Sequence, residues 1–284
     1  MKQRIITAII MAAIFIPLLF LSQTIYFSIA ISILSAFAVY EILCCTKHIK
    51  TYVLSVPALI FGFSAPFFSR NIFNLERFSE NFYFSASAVF LFLLLFIHIF
   101  YAEKISTKDV CEVFTTAIYV TLSFTCIIKL RDLTLGGENI GKYLFLLIFI
   151  SAWSTDTFAY FCGYFFGKHK LIPKISPKKT VEGAVGGIFF CVLSFIVYAI
   201  ILHNNYNMSP NYLKFIFLAV ITSVISQLGD LAASAIKRNY NIKDYGNIFP
   251  GHGGVLDRFD SVLAVSVFLC IFLGHPEIFS VFNF

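Results

Sequence analysis

The stretch GHGGVLDRFDS, residues 251–261, sets Asp257 and Asp260 three positions apart, on one face of any helix that contains both. Ahead of them, Gly251, Gly253 and Gly254 allow backbone N–H groups to turn inward as an anion cradle at a helix N-terminus. Carboxylates beside such a cradle belong together if a divalent cation bridges them to phosphate oxygens. One acid at a helix start is ordinary, for capping and dipole reasons. Two acids flanking Arg258, directly behind GHGG, are not. His252 offers an imidazole as a base, although a loop histidine more often makes only a local hydrogen bond. Two further acids lie within apolar runs: Asp156 in SAWSTDTFAY and Asp230 in SVISQLGDLAASAIKR. Around Asp230, the residues Ser223, Ser226, Gln227, Ser234 and Lys237 recur at three- and four-residue steps and form one polar stripe. The serines alone would serve as a hydrogen-bonded seam between helices. Asp230 asks for more, because a carboxylate in mid-membrane costs about 2.5–3.5 kcal/mol even on mild insertion scales.

The basic residues supply the counter-charge. Lys178, Lys179, Lys237, Arg238 and Lys243 are placed to neutralise a triphosphate and a lipid phosphate. Plain attraction to anionic headgroups, worth about 1 kcal/mol per residue, explains Lys168, Lys170 and Lys174 equally well. Lys178 and Lys179, in ISPKKTVEG, read instead as part of a shaped loop. Together these pieces describe a site at a membrane surface with carboxylates, cations and Gly-rich turns. That suits phosphoryl or nucleotidyl transfer to a membrane-embedded substrate.

The elements that must carry this site are membrane spans. The chain of 284 residues is 59% hydrophobic and only 13% charged, with a mean hydropathy of +0.85. Soluble domains run near 45–50% apolar and about 25% charged. Disorder, collagen and a secreted disulfide scaffold are excluded by the same figures. Seven cysteines, an odd number without zinc-like CxxC spacing, read as small buried hydrophobes. A net charge of +6 fits topogenic loops rather than nucleic-acid binding.

Nine apolar stretches stand out, at 5–21, 25–43, 52–68, 83–101, 111–130, 142–162, 184–202, 213–236 and 255–273. Each is near the ~20 residues of a span, and lipid requires each to be helical. The first resembles a signal peptide but lacks a small-residue cleavage site and is read as a span. The expected fold is therefore an all-α polytopic membrane protein with about nine transmembrane helices. With the N-terminus cytoplasmic and the C-terminus external, fifteen of the 21 Lys and Arg fall on the inner side, as the positive-inside rule prefers. The cytoplasmic loops 163–183 and 237–254 then share one side. Residues 1–284 read as a single integral membrane domain, with spans one to five in 1–141 and catalytic spans six to nine in 142–284.

The run from Ser234 to Asp260, SAIKRNYNIKDYGNIFPGHGGVLDRFD, resembles the signature of the phosphatidate cytidylyltransferase, or CDP-diglyceride synthase, family. Its elements stand at Ser234, Lys237, Arg238, Lys243, Asp244, Gly246, Pro250, His252, Gly253, Gly254, Asp257, Arg258 and Asp260. The upstream DTFAYFCGYFFGKHKL and ISPKKTVEG are similar to that family as well. The resemblance implies a nucleotidyltransferase of phospholipid biosynthesis that converts CTP and phosphatidate to CDP-diacylglycerol and pyrophosphate. It places the enzyme in the inner (plasma) membrane with its site on the cytoplasmic side. It implies magnesium held by Asp230 and Asp257, with Asp260 as a third candidate, and a potassium ion sharing the site. Lys237, Arg238, Lys243, Asp244 and Arg258 are then the catalytic candidates. Lys178, Lys179, Ser234, His252, Gly253 and Gly254 are the substrate-binding ones. The partners are CTP, phosphatidate and the bilayer, with no nucleic acid; a homodimer is left open. Two alternatives remain: a CTP-dependent polyprenol kinase, and a secondary transporter using Asp156 and Asp230 as ion sites.

The orientation has a direct test. Lys178→Cys and Lys243→Cys, in a background without the native thiols, should react with an impermeant thiol reagent only after the membrane is opened. Labelling in intact cells would overturn it.

Overall fold

The computed structural model describes residues 2–70, 76–134, 137–206, 208–249, 251, 253–274 and 280–282. Its helices are α1 (Lys2–Phe20), α2 (Ile25–Cys45), α3 (Tyr52–Phe68), α4 (Glu76–Phe100), α5 (Thr107–Arg131), the short α6 (Gly141–Leu144), α7 (Leu146–Phe166), α8 (Val181–Tyr206), α9 (Tyr212–Asn239) and α10 (Leu256–Leu273). Six segments among the described residues are long and apolar enough to cross a membrane: Ile25–Cys45, Asn81–Phe100, Thr107–Arg131, Gly141–Phe166, Val181–Tyr206 and Tyr212–Asn239. The chain is an all-α, multi-pass membrane protein. Three expected spans, α1, α3 and α10, form helices outside that group, the last two for local reasons. α3 has 17 residues and carries Pro57 and Pro66, and α10 carries Asp257, Arg258 and Asp260 in its first turns.

The loop expected between 163 and 183 contains a small antiparallel hairpin, β1 (Lys170–Ile172) and β2 (Ser176–Thr180). Lys170 pairs with Thr180 and Ile172 with Ser176. Pro177 is tolerated in β2 because both strands of a two-stranded ribbon are edges.

The chain divides into two compact units, one of residues 1–129 with 239–259, the other of 130–238 with 260–284. In the first, Phe27, Ile31, Leu54 and Phe61 are buried, and the Phe61 and Phe90 rings stack at 4.6 Å. Gly62 gives α3 close access to α2, since a Cβ there would lie 3.1 Å from Val39. The described residues between α9 and α10, 240–249, 251 and 253–255, belong to this unit and lead into the first turn of α10.

The second unit is organised around α7 against α8. Their contact is close because α8 presents Gly183, Gly186 and Gly187 to α7, the packing device of membrane helices. Phe195 on α8 meets Phe215 on α9, which in turn meets Phe282. The chain near its C-terminal end is tied down by Asn211 N–H donating to the Val281 carbonyl (2.8 Å) and by Lys214 Nζ donating to the Ser280 carbonyl (2.9 Å).

The α7–α8 contact leaves no space for a side chain at Gly187, where a Cβ would lie 3.0 Å from the Thr155 carbonyl oxygen and 3.2 Å from Ala159 Cβ. Gly187→Leu should therefore destabilise the protein by about 1–3 kcal/mol, the usual cost of overpacking. Thermal unfolding in detergent would register this as a lowered Tm. An unchanged Tm would mean that the two helices can separate without loss.

Candidate active site

In the first unit the chemistry-bearing residues gather where α10 begins. Gly251 and Gly253 take positive φ, 78° and 87°, and Phe249 N–H donates to the Gly253 carbonyl (2.9 Å), closing a tight turn. Asp257 is buried, and its Oδ2 accepts the N–H groups of Tyr245 (2.7 Å) and Gly254 (3.0 Å). This ties the middle of the loop to the helix start. The next two N–H groups go to Glu41 on α2: Val255 donates to Oε1 and Leu256 to Oε2, both at 2.9 Å.

Of the three glycines at which the sequence suggests a cradle of inward N–H groups, Gly251, Gly253 and Gly254, the last turns its N–H inward, onto Asp257. The N–H groups of residues 254–256 hold two of the protein's own carboxylates. Exogenous phosphate was the sequence expectation for them. The physical reason is burial. A helix N-terminus removed from water must find acceptors within the chain.

Glu41 was not among the sequence candidates. Its signal was nonetheless present: a lone acid in FAVYEILCC, inside the apolar run 25–43, is subject to the same rule that selects Asp156 and Asp230. Lys243, Asp244 and Arg258 are exposed beside this cluster. His252 lies outside the described residues.

In the second unit, Asp230 on α9 forms an ion pair with Lys179 on β2 at 2.5 Å, and Ser234 Oγ, one turn on, donates to Asp230 Oδ1 at 3.4 Å. Lys237, a further turn along, is buried, and Arg238 is exposed. On α10, Ser261 donates its hydroxyl to Asp156 Oδ2 on α7 (2.7 Å) and its N–H to Asp260 Oδ1 (2.9 Å). Asp260 also lies within electrostatic range of Asp156, Asp230 and Lys237. Asp156, whose role the sequence left open, is thus joined to Ser261 and lies near Asp260. Gly229 permits this approach of α9 and α10, since a Cβ there would meet Ala264 and the Asp260 carbonyl.

The hairpin that carries Lys179 is anchored by its last residue. Thr180 Oγ1 caps α8 by accepting the Gly183 N–H (3.1 Å), and the bare α-carbons of Gly163 and Gly167 leave it room. Along β2, Lys178 is exposed while Lys179 turns toward Asp230. Lys168 and Lys170 are exposed on the upstream flank. The rest of the polar stripe on α9 is helix seam. Ser223 accepts from Thr155 Oγ1 (2.8 Å), and Gln227 Nε2 donates to the Ala184 carbonyl (3.2 Å).

Comparison with known proteins decides the family. The chain matches the cytidylyltransferase family over residues 2–275. It belongs to that family. Among its relatives, a phosphatidate cytidylyltransferase of Bacillus subtilis is 36% identical over 280 residues, covering 96% of this chain and 98% of that one. Enzymes of the same name from Haemophilus influenzae and Staphylococcus haemolyticus are 33% and 34% identical, again over 96% of this chain and 98% and 99% of theirs.

Nucleotide transfer in such a family is typically metal-dependent, so the donor set matters. Among the described residues, no three His, Cys, Asp or Glu side chains converge closely enough to form a ready metal cage. The donors of the second unit still fit a hard cation. Asp156, Asp230 and Asp260 offer only oxygen, and Lys179 already places one positive charge on Asp230. Magnesium usually takes one or two carboxylates and completes its octahedron with water and substrate phosphate, so it does not need a closed protein cage.

The double acceptor role of Asp257 predicts a stability effect separate from any role in turnover. Asp257→Ala would leave the Tyr245 and Gly254 N–H groups without their acceptor, at about 1–3 kcal/mol for each group that stays unsatisfied. Thermal unfolding should show a clear fall in Tm for this variant and almost none for Asn247→Ala, which is exposed in the same loop.

Proposed function

We propose that this cytidylyltransferase acts on phosphatidate, joining it to CTP to give CDP-diacylglycerol and pyrophosphate at the cytoplasmic surface of the inner membrane. The observation that carries this reading is the end-to-end relationship, over 96% of the chain, to enzymes of that name. The chemistry of the residues agrees with it. The nucleophile is a phosphate oxygen of phosphatidate, already ionised at neutral pH, so no side chain has to remove a proton. It bonds to the α-phosphorus of CTP as the bond from that phosphorus to the bridging oxygen of the β-phosphate breaks. Pyrophosphate departs with that electron pair.

What the chain must supply is alignment and positive charge. Lys237 stands seven residues beyond Asp230, two turns along the same face of α9, and Arg258 directly follows Asp257. We assign both to the charge that builds on the phosphates, with Arg238 and Lys243 beside them and Asp244 holding the loop's charge balance. Lys178, Lys179, Ser234, His252 and Gly253 are assigned to substrate binding, and Gly254, whose N–H is taken by Asp257, to the turn that supports them. Asp230, Asp257 and Asp260 would hold magnesium, which would supply positive charge to the triphosphate. A potassium ion at the same site belongs to this reading through the family resemblance.

Purified protein with CTP, magnesium and phosphatidate should release pyrophosphate. Release of CDP on a polyprenol substrate would favour the kinase alternative instead. Asp230→Asn and Asp257→Asn, each checked for folding, should abolish turnover, because an amide oxygen is a poor ligand for a hard cation. Lys237→Ala and Arg258→Ala should cut turnover by about 1.5–3 kcal/mol, the scale of a charge-assisted hydrogen bond. Lys168→Ala and Lys170→Ala should change it little. Small, equal effects across these four would reduce all of them to topology and headgroup attraction.

A further inference from the structure

Glu41 is the most deeply buried carboxylate described above, at 2% exposure. It lies in the last turns of α2, 214 residues before the Val255 N–H that it accepts. Its surroundings are shaped around the charge. A Cβ at Gly246 would lie 2.5 Å from Glu41 Oε1, and a Cβ at Gly254 would overlap both carboxylate oxygens. The backbone conformation at Gly246 and Gly254 does not require glycine, since neither has positive φ. The missing side chains make space for a carboxylate.

A buried ion of this kind is expensive unless its oxygens are fully engaged. Here each oxygen takes one N–H at 2.9 Å, and the negative charge sits at the positive end of α10. A neutral amide cannot reproduce this pair, because one of its two polar atoms is a donor and would face an N–H.

We propose that Glu41 is a positioning residue for nucleotidyl transfer. Its carboxylate substitutes for an anionic ligand at the start of α10 and thereby sets the register and direction of the turn that presents Asp257 and Arg258. The inference rests on the functional reading above, in which those two residues serve metal and phosphate. Glu41 itself touches neither substrate nor reacting atoms. It acts through the Val255 and Leu256 amides on the residues that follow them.

The test combines a local readout with turnover. In the wild type, hydrogen exchange at the Val255 and Leu256 amides should be slow. Glu41→Gln should speed it by about tenfold or more, the equivalent of losing one charge-assisted hydrogen bond, while exchange in α7 and α8 stays unchanged. Turnover of CTP and phosphatidate should fall by a similar factor, mainly in kcat, with KM for CTP within about threefold of the wild type.

A double-variant cycle separates positioning from general destabilisation. Gly246→Ala should lower kcat while Glu41 is present, because its methyl group displaces the carboxylate. In the Glu41→Gln background it should add less than about a twofold loss, since residues acting through one contact are not additive. Independent, multiplying losses would overturn the proposal. So would wild-type exchange and turnover in Glu41→Gln. If Glu41→Gln does not fold, Gly246→Ala and Gly254→Ala must each speed exchange at Val255 and Leu256, and normal exchange in both would sink the idea. A wild-type protein inactive on CTP and phosphatidate would refute the functional reading instead, and the exchange measurements would still decide whether Glu41 holds this turn.

Discussion

A helix that starts away from water leaves its first N–H groups without partners, and in a membrane protein the chain itself must provide acceptors. At α10 this requirement is met by two carboxylates. Asp257 takes the N–H of Gly254 and Glu41 takes those of Val255 and Leu256, so three consecutive amides are satisfied by side chains. Much else in the first unit follows from that arrangement. Gly246 and Gly254 must lack side chains, the 239–255 loop must return past Tyr245, and α2 must bring a charged residue into an otherwise apolar interior.

The second unit meets a different constraint, the repulsion among acids held close together. Asp230 is neutralised by Lys179, and Asp156 is engaged by the Ser261 hydroxyl. Both contacts lie among helices brought close by glycine. Gly229 lets α9 approach α10, and the glycines of α8 let it lie close on α7, where Thr180 then fixes the hairpin that delivers Lys179. The two-stranded ribbon is small, but it converts a flexible basic loop into a rigid carrier of one lysine.

The reaction proposed for this cytidylyltransferase needs no general base. The attacking phosphate is already ionised, and the barrier is dominated by bringing anionic groups together. A protein meets that demand with fixed charges on rigid elements, and fixed charges in a membrane must themselves be hydrogen-bonded or paired. The same interactions that stabilise the buried acids therefore also orient them.

The sequence by itself determined the class of the molecule. Apolar runs near 20 residues can only be helices in lipid, and the Ser234–Asp260 signature carries enough fixed residue types to point to the family. It also marked Asp230, Asp257 and Asp260 as costly or crowded acids, because a charge inside an apolar run is visible without coordinates. Three things were decided only by the tertiary structure. One is the hairpin at 170–180, whose two short strands carry no periodicity that a Lys- and Pro-rich loop would not also show. Another is the link from Asp156 to Ser261, which joins residues 105 positions apart. The last is the occupant of the Gly-rich turn. The glycines announced an anion, but a glycine pattern describes the space and not what fills it, and the Glu41 carboxylate comes from a helix more than 200 residues away.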